Sequence, residues 1–233
     1  MKLVQVVQHT SSEYLGLIED HLEARGVRFR YCRPFAGKNP FPAPAALADG
    51  LIVLGGGPWG SAGERDVPTL GEEVSLVRAS LAAGKPVVGI GLGAQILALA
   101  SGGRSQRAPL DFSVGTARRV KDGALHGYLP AEYPLAIYMR DWPVPPSGAE
   151  VLAVDEAERP VLWQYGERAL GFAGHPGLKV AMVEDLIMEF EEAPAQIEAG
   201  LAKLRAVQRR LEDALVPLMT GVVRLSGWMT APG

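Results

Sequence analysis

Lys85-Pro86-Val87-Val88-Gly89-Ile90-Gly91-Leu92-Gly93-Ala94-Gln95 is the stretch on which the reading of this chain turns. Its short valine- and isoleucine-rich run, bounded by Pro86, reads as a buried strand. Glycines at 89, 91 and 93 then permit a sharp turn, and the apolar residues through Ala100 read as a buried helix. A turn of this kind holds its central residue at the top of an α/β sheet, where catalytic nucleophiles are presented. Gly91 stands at that position and carries no side chain.

Outward from this elbow, strands and helices alternate as in a parallel sheet covered on both faces. Leu3 to Val7 and Arg28 to Cys32 read as the first two strands. Thr10-Ser11-Ser12-Glu13 is a capping-box pattern that predicts a helix carrying Leu15, Ile18 and Leu22 as far as Gly26. Pro34 to Ala48 reads as a long connection and Leu51 to Leu54 as a strand. A helix is expected from about Gly71 to Ala83, with Val74, Val77 and Leu81 inward. Arg104 to Pro146 reads as an irregular antiparallel part, Val151–Val154 with Val161–Tyr165 as a strand pair, and Ala169–Ala173 as a strand ending at His175. After Pro194, Ile197, Leu201, Leu204, Val207, Leu211 and Leu215 recur at helical spacing. The expected organisation is one domain over 1–192 and a helical extension over 193–233, packed on the domain or at an interface. The helix at 194–218 would then serve core packing, a homodimer or a partner protein. Trp228 near the end suggests a tail folded back on the chain.

Three ordered blocks carry a resemblance to class I glutamine amidotransferases, closest to their stand-alone, GMP-synthase-like domains, over about Lys2 to Glu191. Asp49-Gly50-Leu51-Ile52-Val53-Leu54-Gly55-Gly56-Gly57-Pro58 resembles the family's strand and oxyanion loop. The elbow resembles G-I-C-L-G-x-Q, and Gly171-Phe172-Ala173-Gly174-His175-Pro176-Gly177 is similar to G-x-Q-F-H-P-E. Ile137-Tyr138-Met139-Arg140-Asp141 falls where relatives carry W-H-G-D. The resemblance implies a flavodoxin-like α/β fold with a mostly parallel sheet. It also implies that the family's Cys-His-Glu triad has become Gly91-His175-Gly177. A thiolate attacks the glutamine amide in such enzymes, and glycine supplies none.

What remains at the expected site is His175 as the candidate catalytic group, with Gly56, Gly57, Gly91, Leu92, Gln95, Met139 and Trp142 as candidate ligand contacts. Gly55 to Gly57 offer backbone donors, and Gln95 is a polar side chain in an apolar helix start. Trp59, Tyr138 and Trp163 add apolar surface. The sum suits a flat or partly apolar small molecule better than free glutamine. Three functions follow: a divergent amidotransferase-like protein without glutaminase activity that reuses its pocket, an enzyme of other chemistry in which His175 ligates haem or a metal, and a pseudoenzyme scaffold. His9, His21 and His126 read as solvated, and no metal-ligand spacing is recognisable.

Composition narrows the rest. A length of 233 residues suits one sizeable core, and a formal net charge of −3 argues against nucleic acid as a partner. No apolar run approaches the roughly 18 residues of a membrane span, and the N-terminus turns polar too early for a secretory signal. A cytoplasmic protein is expected, in keeping with the single cysteine, Cys32, which reads as packed at a strand end.

Overall fold

The computed structural model describes residues 1–37, 41–43 and 46–229. Five parallel strands form one half of the sheet: β1 (Leu3–Val7), β2 (Arg28–Cys32), β3 (Gly50–Val53), β4 (Val87–Ile90) and β11 (Ala169–Phe172), in the spatial order β2-β1-β3-β4-β11. This is the flavodoxin-like order, whose strand ends gather on one side of the sheet. Beyond β11 the sheet continues antiparallel through β10 (Pro160–Tyr165), β9 (Ala149–Val154), β6 (Asp111–Arg119) and β7 (Glu132–Met139), giving nine strands among the described residues. A small separate ribbon pairs β5 (Arg104–Gln106) with β8 (Trp142–Val144).

Both faces of the parallel strands are apolar, so each must be covered. Val4 and Val6 of β1, Ile52 of β3 and Val88 and Ile90 of β4 face one layer. The alternate residues Val7, Leu51, Val53 and Val87 face the other. Helices α2 (Leu70–Ala82) and α3 (Leu92–Ala100) cover the second face through Leu76, Val77, Leu92, Ile96 and Leu97. The first face is covered by α1 (Ile18–Glu23) and by α5 (Ile197–Leu225), while α4 (Val180–Glu189) closes a third apolar cluster with Phe112 and Tyr138.

Helix α5 is therefore built into its own domain. Leu204, Leu211, Leu215, Leu218, Met219 and Val223 are all buried, the first against Met182 and Leu186 and the later ones against the sheet. Trp228 closes the tail: its indole N–H donates to the Asp49 carbonyl at 3.2 Å and the ring packs on Gly50 at the start of β3. Residues 230–233 of the tail and parts of the Pro34–Ala48 connection lie outside the described residues. Cys32 is buried at the end of β2, and burial pushes its thiol up.

Three local readings are corrected. The helix expected from the capping box begins only at Ile18, leaving residues 8–17 irregular. The deepest residues of α2 are Glu73, Leu76, Val77 and Ser80; Val77 is inward as expected, while Val74 and Leu81 pack partly buried at the edge of the same face. The part from Arg104 to Pro146 contributes two long strands to the main sheet, so it is more regular than its Pro and Gly content suggests.

Candidate functional site

Gly91 connects β4 to α3 with φ +57° and ψ −115°, a conformation that costs a residue with a Cβ and that glycine adopts freely. The Gly91 N–H donates to the Phe172 carbonyl at 2.8 Å, which fixes the turn to the neighbouring strand β11. A Cβ built on Gly91 would have, beyond its chain neighbours, only the Gly55 Cα within 4 Å, at 3.4 Å. The elbow thus keeps the shape that presents a side chain, and a Cβ there would make only one ordinary contact. Neither His175, Gln95, Met139 nor Trp142 comes within 4 Å of that position.

The opposite wall is the loop Gly55-Gly56-Gly57-Pro58, which follows β3. Leu92 is 1% exposed and its side chain packs on Gly56. Gly57 has φ +55° and lies under Leu186 and Phe190, so the end of α4 roofs the loop. On the far side of Gly55 sits Glu13. It is 2% exposed, its Oε2 accepts the Gly57 N–H at 2.8 Å, and its carboxylate occupies the place a Cβ on Gly55 would need. Burial, opposed by the Gly57 N–H and by His9, pushes the Glu13 carboxyl up to about 7.

His9 is a further correction: it is buried, 5% exposed, and not solvated. Its Nε2 meets Glu73 Oε2 at 2.6 Å and its Nδ1 meets the Gly55 carbonyl at 2.9 Å. Burial, the largest single influence, would lower its pKa; the Glu73 carboxylate, the Gly55 carbonyl and Glu13 together outweigh burial and raise it. Glu73 is in turn held by the Thr69 hydroxyl at 2.6 Å. The 55–57 loop is therefore gripped from β1 and its following segment by His9 at one end and Glu13 at the other.

His175 follows β11 at the expected place, yet both ring nitrogens are engaged by backbone. Nε2 donates to the Tyr14 carbonyl at 2.8 Å and Nδ1 accepts the Gly177 N–H at 3.1 Å. Burial lowers its pKa to about 4, so the ring is neutral at physiological pH. A Cβ on Gly177 would stand 2.8 Å from Ile18 Cγ1, 3.0 Å from Ile18 N and 3.1 Å from the Leu15 carbonyl. The position of the orienting carboxylate is thus closed by the backbone of the 14–18 segment.

Gln95 is fully buried, and its amide is spent inside the protein. Its Nε2 donates to the Arg140 carbonyl at 2.6 Å and its Oε1 accepts the Ser61 hydroxyl at 2.6 Å. Asp141, at φ +61°, accepts the N–H groups of Ser61 and Ala62, each at 2.9 Å, and that of Ala108 at 3.1 Å. Arg140 donates to the Pro58 carbonyl at 2.9 Å and pairs with Glu192, which also pairs with Arg65. These residues tie the 58–62 loop to β7 and to the segment after α4. Met139 lies in the core, and Trp142 lies under the Arg159 guanidinium at 3.9 Å. Sequence reading missed Glu13, His9, Glu73 and Ser61. Only Glu73 carried a local signal, its place on the buried face of α2 with Leu76, Val77 and Ser80; the others are fixed by partners distant in sequence.

The model of the glutamine amidotransferase class-I family matches residues 11–162. Among solved structures, a glutamine amidotransferase from Methylobacillus flagellatus is 23% identical with a TM-score of 0.82, covering 100% of this chain and 97% of that one. A glutamine amidotransferase from Thermotoga maritima is 21% identical with a TM-score of 0.81, covering 97% of this chain and 98% of that one. Both likenesses are of fold. A comparison with curated proteins returned no match.

Proposed function

Because the chain belongs to the class I glutamine amidotransferase family, we propose that it is a member that has given up glutamine hydrolysis and reuses the emptied elbow to bind a small molecule. The observation that carries this reading is Gly91 itself, held at φ +57° beside open space. Ligands of open α/β sheets bind at this end of the strands, where Gly91 offers backbone and no side chain. His175 acts in this reading as a structural residue. Its two backbone hydrogen bonds fasten the turn after β11 to residue 14, and ligation of haem or a metal by either nitrogen would break one of them.

Ammonia release from glutamine tests the proposal. The wild-type protein should release none above a heat-killed control, since no thioester can form. Gly91→Cys should fold, with a thiol in the open space, and remain inactive because His175 is engaged elsewhere. Adding Gly177→Glu should unfold or strain the 14–18 segment and give no rescue. Turnover by the wild type, or family-like turnover by Gly91→Cys alone, would overturn the reading.

A further inference from the structure

A cavity of about 130 Å3 lies at the C-terminal ends of β1, β2 and β3, away from Gly91. His9, which follows β1, forms part of its wall. Pro34 and Phe35 come from the helical turn after β2, Trp59 from the loop after β3, and Val67, Pro68 and Thr69 from the segment that leads into α2. The spatial order β2-β1-β3-β4 reverses between β1 and β3, with α1 covering one face of the sheet and α2 the other. Doubly wound sheets bind ligands in the crevice that such a reversal leaves. β4, which carries Gly91, is the next strand beyond β3, and neither Gly91, Leu92 nor Gly55 to Gly57 lines this space.

The wall decides what the cavity can hold. Two aromatic rings, two prolines and a valine make most of it, and the Trp59 ring is braced by the Arg65 guanidinium at 5.0 Å. Its polar side chains are already committed. The Thr69 hydroxyl donates to Glu73 Oε1 at 2.6 Å, and the two nitrogens of His9 face the Gly55 carbonyl and Glu73 Oε2. With an acceptor at each nitrogen, both carry hydrogen, and the ring is an imidazolium whose charge Glu73 balances. A charged ligand would lose its water here and gain no counter-ion. An apolar molecule loses nothing by entering, and a cavity of about 150 Å3 suffices for benzene. Edge and face contacts with Phe35 and Trp59, beside the positive His9 ring, favour an aromatic ring over an aliphatic one of the same size.

We propose that this cavity is a binding site for a small, uncharged aromatic molecule of one six-membered ring, distinct from the elbow at Gly91. The test is titration of the isotope-labelled full chain with phenol, cyclohexanol and benzoate, followed by NMR through the indole N–H signal of Trp59, which Trp59→Phe assigns. Phenol should move that signal saturably, with a Kd on the order of 1 mM, and leave the signals of the buried Trp163 and Trp228 in place. Cyclohexanol lacks the ring electrons and benzoate carries a charge, so each should bind about 10-fold more weakly or worse. Phe35 is 49% exposed, so Phe35→Ala should fold like the wild type, and it should weaken phenol about 3-fold or more. Val67→Phe should fill the space and abolish binding; if that variant fails to fold, Phe35→Ala decides. No saturable movement of the Trp59 signal up to about 10 mM phenol overturns the inference. So does a response to benzoate or cyclohexanol as strong as that to phenol, or undiminished affinity in Phe35→Ala or in folded Val67→Phe.

Discussion

Burial acts in opposite senses on Glu13 and His175, pushing the one up to about 7 and the other down to about 4. Each departs from its ordinary value in the direction that favours the neutral form. The folded Glu13 holds a proton that the unfolded chain has lost between about pH 4.5 and 7, so its contribution to stability is fully present in acid and is lost as pH rises through that window. The folded His175 refuses a proton that the unfolded chain accepts below about 6.5, so its contribution is present above 6.5 and is lost as pH falls towards 4. Each effect is on the order of 3 kcal/mol, and over the shared window they offset each other. Chemical denaturation of the wild type should therefore show little change in stability from these groups between pH 5 and 6.5. Glu13→Gln should reveal a fall towards acid, and His175→Gln a rise. Slopes of the same sign in the two variants would contradict this assignment.

At the scale of elements, Leu204 is fully buried between α5 and α4, and the apolar stripe of α5 is consumed inside its own domain. Leu204→Glu should lower stability by about 3 kcal/mol or more, because a charge would be buried without a partner, and should leave no smaller folded species. Sedimentation with a melting curve checks this, and a folded, smaller, equally stable variant would show that the face instead serves an interface. The same helix shows what was legible in sequence. Its stripe, the elbow strand and the paired strands β9 and β10 are local patterns, and all appear where their periodicity puts them. Thr10 and Glu13 show what was not. The Glu13 N–H does donate to the Thr10 hydroxyl at 3.0 Å, as a capping box requires, but the Glu13 side chain goes to Gly57, 44 residues away. A buried amide of the 55–57 loop outcompetes the local helix end, and no sequence window around residue 13 contains it. The inward turn of Glu73 has the same origin, since His9 is its partner across 64 residues. Helix α4 also has a local signal, since Met182, Val183 and Leu186 fall at helical spacing.

For the molecule as a whole, the order of the strands in space departs from their order of synthesis. The central sheet reads β2-β1-β3-β4-β11, so the strand that seals β4 is among the last to be made, and Leu170 pairs with Val88 across 82 residues. Until β11 arrives, β4 is an open parallel edge, and the turn at Gly91 lacks the Phe172 carbonyl that anchors it. Parallel pairings of this range are slow to form because loop closure precedes any gain from them. A fragment ending at Tyr165 would contain the elbow and the whole of the 11–162 family match, yet it should remain aggregation-prone and protease-sensitive while the full chain resists digestion. Growth of the chain on a ribosome therefore leaves β4 exposed for the time needed to add nearly eighty further residues, at about 5–20 residues per second. During those seconds β4 has no neighbour on that side, so its edge is where the nascent chain is most open to pairing with another copy.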